Sequence, residues 1–217
     1  MPRAAIDGKG AVSALRRADP VLGQLMRVVG PFALEVQRTA SVFQVLSEAI
    51  VSQQLSAKAA DTIYARVRAA AGGGPLTAIG ILSTPDNALR AAGLSGAKTA
   101  ALKDLAAHEE AGDVPTLAKI RRMSDDAIVE QLTVVRGIGR WTVEMFLIFR
   151  LGRPDVLPVD DYGVRRAFGL VYRQDTPTPK ELAAHGARWA PYRTVASWYL
   201  WRALELPPRA DGQRAAM

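Results

Sequence analysis

The sequence predicts an all-α protein of about ten short helices joined by short connections. Three observations carry this prediction. Apolar residues recur at helical spacing through most of the chain, capping and breaking residues punctuate it at short intervals, and no stretch alternates apolar and polar residues with the β-branched enrichment of a strand.

Taken in order, the elements follow from these signals. Asp19-Pro20 reads as an N-cap followed by a first-turn proline, opening VLGQLMRVV with apolar residues at Val21, Leu22, Leu25, Val28 and Val29 until Gly30 stops it. SVFQVLSEAIVSQQ repeats the pattern through Val42, Val45, Leu46, Ala49 and Ile50, and a new helix starts at Ser56 and runs to the glycines at 72–74. A tight corner at Gln53 to Ser56 joins the two. Thr84-Pro85 is expected to cap a short helix ended by Gly93, AKTAALKDLAAHEEAG forms another, and Ser124 caps DDAIVEQLTVV. RWTVEMFLIFRLG follows Gly139, YGVRRAFGLVY follows the acidic pair Asp160-Asp161, and TPKELAAHGARWA and PYRTVASWYLWRALEL complete the set. The terminal PPRADGQRAAM has no periodicity and is expected to be mobile.

Composition narrows the chemistry. The 217 residues are 49% hydrophobic and 23% charged, a balance that supports a packed core rather than a disordered chain. Lys and Arg number 28 against 21 Asp and Glu, a net charge of +7, which favours an anionic partner such as nucleic acid or an acidic lipid surface. No helix concentrates that charge opposite an apolar stripe, so membrane-surface binding ranks last. Zero cysteines exclude disulfides, thiolate metal sites, cysteine nucleophiles and a cysteine-held iron–sulfur cluster. The two histidines, His108 and His185, argue against a histidine-rich metal site, and His108 beside Glu109 and Glu110 reads as a solvated helix end. No apolar run approaches the roughly 18 residues of a membrane span, and the start lacks the apolar core of a signal peptide. The resulting expectation is a cytoplasmic, bacterial-type, monomeric protein without membrane contact.

The informative segment is LTVVRGIGRWTVEMFLIFRLGRPDVLPVDDYG, residues 132–163. Arg136-Gly137-Ile138-Gly139 lies between two helices, with glycines that permit positive φ and an apolar residue to pin the turn. Alone, this pattern is a tight helix–helix turn. Flanked by Arg136 and Arg140, it also fits a hairpin whose backbone N–H groups meet a DNA phosphate at a helix N-terminus, independent of base sequence. Downstream, one of Asp160 and Asp161 should cap the following helix. The other, ionised beside the helix dipole, is suited to stabilising a developing cation or orienting a water.

GIGRWTVEMF followed by LPVDDYGVRR resembles the hairpin and catalytic-aspartate block of the helix-hairpin-helix DNA glycosylase superfamily, and most closely its AlkA-type 3-methyladenine DNA glycosylase II branch. FQVLSEAIVSQQLSAKAADTI, LSGAKTAAL and PYRTVASWYLW are similar to three further motifs of that branch in the same order. The resemblance implies two helical subdomains with the active-site cleft between them. The central subdomain would take residues 42–155, with the helix-hairpin-helix at about 126–150, and the second would combine 1–41 with 156–206, leaving 207–217 as a tail. It implies a monofunctional enzyme of base excision repair that flips an alkylated base such as 3-methyladenine out of duplex DNA and hydrolyses its N-glycosidic bond.

Residue by residue, the resemblance places the catalytic aspartate on Asp161 and the hairpin glycines on Gly137 and Gly139. It implies DNA contacts at Gln53, Gln54, Leu55, Arg136, Gly137, Ile138, Gly139 and Arg140, with Leu55 as the apolar wedge that enters the base stack. Read without it, Leu55 is a buried corner leucine, and Gln53 caps the corner as readily as it meets DNA. Trp141 occupies the position at which lyase-active relatives carry a Schiff-base lysine. Tryptophan there implies no strand cleavage and an aromatic wall for a cationic base, with Met145 one turn later as a softer wall; a core tryptophan is the alternative. No cofactor is implied as a requirement. A structural Na+ or K+ at the backbone carbonyls of Thr133, Val135 and Ile138 would help the hairpin grip phosphate. Two rivals remain at this level: a non-catalytic hairpin module that only binds DNA, and a bifunctional glycosylase/lyase. Tyr192, Trp198, Tyr199 and Trp201 are expected to pack between helices, with one of them able to line the cleft.

Overall fold

Side-chain caps set most helix boundaries in a computed structural model, which describes residues 6–37, 39 and 41–207. All regular structure among the described residues is helical. The tail expected to be mobile lies outside the described residues beyond position 207.

The chain divides into two compact units, one discontinuous (1–37 with 144–217) and one central (38–143). The second boundary falls inside a helix, at 143/144, rather than after residue 155. Its physical basis is that the segment after Val143 bonds within the discontinuous unit: the Gln37 amide donates to the Phe149 carbonyl at 2.9 Å, and Phe149 packs on Trp201 with ring centroids 5.7 Å apart.

The central unit holds α3 (Val42–Ser52), α4 (Ala57–Ala70), α5 (Ala78–Ser83), α6 (Asp86–Ala91), α7 (Gly96–Glu110), α8 (Leu117–Ile120), α9 (Asp125–Leu132) and the first turn of α10 (Arg140–Phe149). Ser41, Ser56, Ser95 and Ser124 each accept a backbone N–H in the first turn of the helix they precede, as Ser does at an N-cap. α7 is the hub: α3, α5 and α6 pack against it, and its Thr99, Ala101, Leu102, Leu105 and Ala106 are buried. Thr84 departs from the expected cap. Its hydroxyl donates to the Gly80 carbonyl at 2.7 Å and ends α5, while α6 starts after Pro85 with no side-chain cap. The six-residue α5 and four-residue α8 are too short to show a periodicity.

The discontinuous unit is built from α1 (Gly8–Ala18), α2 (Pro20–Val29), the rest of α10, α11 (Tyr162–Tyr172), α12 (Pro179–Gly186), a 3-10 turn (Ala187–Trp189) and α13 (Arg193–Ala203). Leu15, Leu22, Leu25, Met26, Phe168, Trp189, Tyr199 and Leu200 fill its core. Asp19, buried at 3% exposure, caps α2 through the Leu22 amide and also accepts from Tyr172 Oη (2.6 Å), Trp189 Nε1 (2.9 Å) and His185 Nε2 (3.0 Å). One carboxylate thus ties α2, α11, α12 and the 3-10 turn together. Burial pushes this carboxyl up, but the bonds from Tyr172, Trp189, the Leu22 amide and His185 outweigh it and leave its pKa below the ordinary value.

Candidate active site and DNA-binding hairpin

α9 ends at Thr133, whose hydroxyl bonds back to the Val129 carbonyl at 2.7 Å, and Val135 and Ile138 turn inward and are buried. The Ile138 amide closes the turn on the Val135 carbonyl at 3.1 Å. Gly137 sits at φ +78, where a side chain is strained, and a Cβ there would stand 3.1 Å from the Ala101 Cβ on α7. Glycine is therefore favoured on two counts, backbone angle and close approach. The Arg136 amide is taken by the Asp104 carboxylate at 2.7 Å. Within residues 136–139, the Gly137 and Gly139 amides have no acceptor, both on exposed residues that lead into α10. Ile138 is the buried pin of the hairpin, and Arg136 and Arg140 flank it with exposed side chains. Alternate outward amides beside two arginines are suited to a phosphate oxygen.

The corner between α3 and α4 lies in the same unit. Gln53 leaves the helix at ψ 129, and Gln54 adopts φ +59, a left-handed conformation that non-glycine residues seldom hold. Leu55 is 39% exposed, so it is not a buried corner leucine. The Gln53 side chain points to neither solvent nor its own helix end: its Nε2 donates to the Gly137 carbonyl at 2.9 Å. Lys98 on α7 reaches the end of α3, its Nζ donating to the carbonyls of Val51 (2.7 Å) and Gln53 (2.6 Å), and burial lowers its pKa.

Trp141, at 46% exposure, is not a core tryptophan. Met145 is half-buried and lies one turn further along α10, on the same helix face.

In the discontinuous unit, Asp161 is the N-cap of α11. Its Oδ1 accepts the Val164 amide at 2.7 Å and Trp201 Nε1 at 3.0 Å. The division of labour expected of the acidic pair is not seen: the capping residue and the one placed in catalysis by resemblance are both Asp161, while Asp160 is exposed. Its approach is braced. Arg193 holds Asp155 in a two-pronged bond of 2.7 and 2.9 Å, and Thr194 bonds the Arg153 carbonyl and the Val156 amide, fixing residues 153–156 to the start of α13. Gly163 makes room for the Trp201 contact, since a Cβ there would lie 3.0 Å from Asp161 Oδ1 and 3.4 Å from the indole. Trp201 is thus the one of the four C-terminal aromatics that reaches the carboxylate; Trp198 and Tyr199 are buried in the core. A cavity of about 810 Å³ in this unit, lined by Val12, Arg16, Arg27, Phe32 and Tyr199 among others, does not include Asp161.

Lys98, Asp104 and Gly163 carry site geometry that sequence reasoning did not assign, and Trp201 was named only as one of four aromatics able to line the cleft. Lys98, Gly163 and Trp201 lie within motifs matched by resemblance, which was the available signal. His108 pairs with Asp113 at 2.9 Å in the turn after α7, and no cluster of three His, Cys, Asp or Glu groups occurs among the described residues. None of the described helices is long and apolar enough to cross a membrane.

Comparison with known proteins agrees with this architecture. The chain is 39% identical over 166 residues to DNA-3-methyladenine glycosylase 1 of Schizosaccharomyces pombe, covering 76% of this chain and 73% of that protein. Its structure is similar to that of the Schizosaccharomyces pombe 3-methyladenine DNA glycosylase Mag1 in complex with abasic DNA, with a TM-score of 0.80, 35% identity and coverage of 91% and 97% of the two chains. It is likewise similar to a DNA-3-methyladenine glycosidase from Bacillus halodurans, with a TM-score of 0.83, 36% identity and coverage of 98% and 95%. Residues 48–191 match the model of the HhH-GPD superfamily base excision DNA repair proteins, so the hairpin, the corner and the capping aspartate all lie inside the matched region, and the chain belongs to that superfamily.

Proposed function

We propose that the protein is a monofunctional DNA glycosylase that removes alkylated bases, such as 3-methyladenine, from duplex DNA. The observation that carries the reading is Asp161, a carboxylate fixed by two donors at the N-terminus of α11 in a chain whose matched region also holds the Gly137–Gly139 hairpin. The names of the relatives support the same substrate class. Their pattern favours a Mag1-like enzyme over an AlkA-type glycosylase II, because the Schizosaccharomyces pombe glycosylase 1 aligns with 76% of this chain at 39% identity and the Escherichia coli DNA-3-methyladenine glycosylase 2 with only 52% at 30%.

The Gly137 and Gly139 amides and the flanking arginines hold a backbone phosphate, and Leu55 enters the stack beside the extruded nucleotide. The exposed ring of Trp141 stacks on the cationic base, with Met145 beside it on α10. A purine methylated at N3 or N7 leaves as a neutral base, so no general acid is needed. As the glycosidic bond stretches, positive charge grows on the sugar, and the Asp161 carboxylate stabilises it and takes a proton from the attacking water. The products are a free base and an abasic site. Trp141 has no amine to form a Schiff base, so the strand stays intact.

The carbonyls of Thr133, Val135 and Ile138 are neutral, hard oxygen donors following the negative end of α9, a donor set that fits Na+ or K+ better than a divalent ion. When bound, such an ion would add positive charge to the hairpin that the backbone carbonyls of Thr133, Val135 and Ile138 belong to.

The reading is tested by chromatographic identification of bases released from duplexes carrying a panel of lesions, with borohydride trapping in parallel. Release of methylated purine without a trapped adduct supports it. Binding without release would make the protein a DNA-binding module, and a trapped adduct would make it a lyase.

A further inference from the structure

We propose that Gln53 is a positioning residue that couples the phosphate-binding hairpin to the Leu55 corner, so that gripping the backbone and entering the stack occur as one motion. The inference rests on the reading of Leu55 and the hairpin given above and adds the link between them.

Two independent bonds hold Gln53. Its side chain donates to the Gly137 carbonyl at 2.9 Å, and its own carbonyl accepts Lys98 Nζ at 2.6 Å. The next residue is left-handed Gln54, and the Leu55 amide bonds back to the Ser52 carbonyl at 3.1 Å. The corner therefore has little freedom to retreat from a base pair. Gly137 is held in turn from α7, through Ala101 at its back and through Asp104 on the neighbouring Arg136 amide. Lys98, Ala101 and Asp104 lie three residues apart along α7, so one face of one helix carries the end of α3, the back of the hairpin and the entry to the hairpin. The Gln53–Gly137 bond closes this frame across 84 residues of sequence.

Such a frame sets the spacing between bound phosphate and wedge before DNA arrives. Binding energy gained at the hairpin then goes into unstacking rather than into ordering the corner. Cutting the link leaves both parts in place but lets the corner yield to the stack. The loss should therefore appear only where a base pair has to be opened.

The test compares excision from a fully paired lesion with excision from the same lesion in a bulge, where opening is already done. It uses wild-type protein, Gln53→Met, Gln53→Ala, Leu55→Ala and Leu55→Ala with Gln53→Met. Gln53→Met keeps the length of the side chain and removes only the donor. The paired-to-bulged rate ratio should fall about fivefold to tenfold in both Gln53 variants, the effect of one lost hydrogen bond. A 2-aminopurine probe beside the lesion should show a smaller fluorescence rise on binding. In the double variant the ratio should match that of Leu55→Ala alone, because Gln53 acts through Leu55. If Leu55→Ala lowers the ratio but the Gln53 losses multiply with it, the link is refuted and the wedge stands. If Leu55→Ala leaves the ratio unchanged, the wedge reading and the link both fall. Equal losses on paired and bulged substrates by Gln53→Met would show a general structural role and overturn the proposal.

Discussion

Replacing Trp201 with phenylalanine removes one hydrogen bond from the Asp161 carboxylate and little else. The indole Nε1 donates to Oδ1 at 3.0 Å, and the ring packs on Phe149 at 5.7 Å with a 31° tilt, a contact that a phenyl ring can retain. After the change Oδ1 keeps the Val164 amide at 2.7 Å, so the cap of α11 survives. A hydrogen bond to a charged acceptor contributes about 1.5–3 kcal/mol. If most of that holds the carboxylate in place as charge develops on the sugar, kcat falls about tenfold to a hundredfold. KM should move by less than about threefold, because an interaction that matters in the transition state is removed while the base and phosphate contacts are kept. Single-turnover release of 3-methyladenine from a defined duplex, with thermal unfolding to confirm the fold, reads the effect. A folded variant with wild-type kcat would refute the role given to Trp201, and a loss confined to KM would move it to substrate binding.

Three further perturbations test other parts of the account. Asp19→Ala leaves Tyr172, Trp189 and His185 without their buried acceptor and should cost about 3 kcal/mol or more in urea unfolding, since losing one member of a buried network exposes the full penalty of the rest. Because the folded pKa of Asp19 is lowered, its contribution is present above the ordinary value of 3.8 and is lost as pH falls below it, through the folded pKa; the variant should lack that part of the acid sensitivity. Gly137→Ala forces a side chain onto φ +78 against Ala101 and should weaken duplex binding about fivefold or more by strain, yet leave the slope of log Kd against log salt unchanged, because amide contacts release no counterions; a changed slope would assign the loss to the arginines instead. Trp141→Ala should reduce excision of a cationic methylated purine about tenfold, the worth of a desolvated cation–π contact, and affect a neutral lesion less; equal losses would leave Trp141 as a steric wall only.

The helices that sequence could place are those with a cap and an apolar stripe of their own. Asp19, Ser56 and Ser124 all cap where their residue type and following pattern put them, because an N-cap bond is local. Thr84 is not a cap because Pro85 takes the N-cap position of α6, and the Thr84 hydroxyl instead donates to the Gly80 carbonyl at the end of α5. Gly137 was legible for the same local reason, since the turn takes a positive φ there, whereas Gly139 does not. The contacts that give the site its geometry are long-range and leave no periodic trace. Gln53 meets Gly137 across 84 positions and Trp201 meets Asp161 across 40. From sequence, the roles of Asp161, Leu55 and Trp141 came from resemblance; the exposure of Leu55 and Trp141 and the fixing of Asp161 are structural findings.

The most direct test of the central claim is single-turnover base release by Asp161→Asn on a duplex containing one 3-methyladenine. Asparagine keeps an oxygen for the Val164 amide and Trp201 Nε1, so fold and DNA binding should persist, while the charge is gone. Release should fall about a hundredfold or more, the scale of lost electrostatic stabilisation, with Asp160→Asn close to wild type. Near-normal release by Asp161→Asn, or an equal loss from Asp160→Asn, would contradict the account.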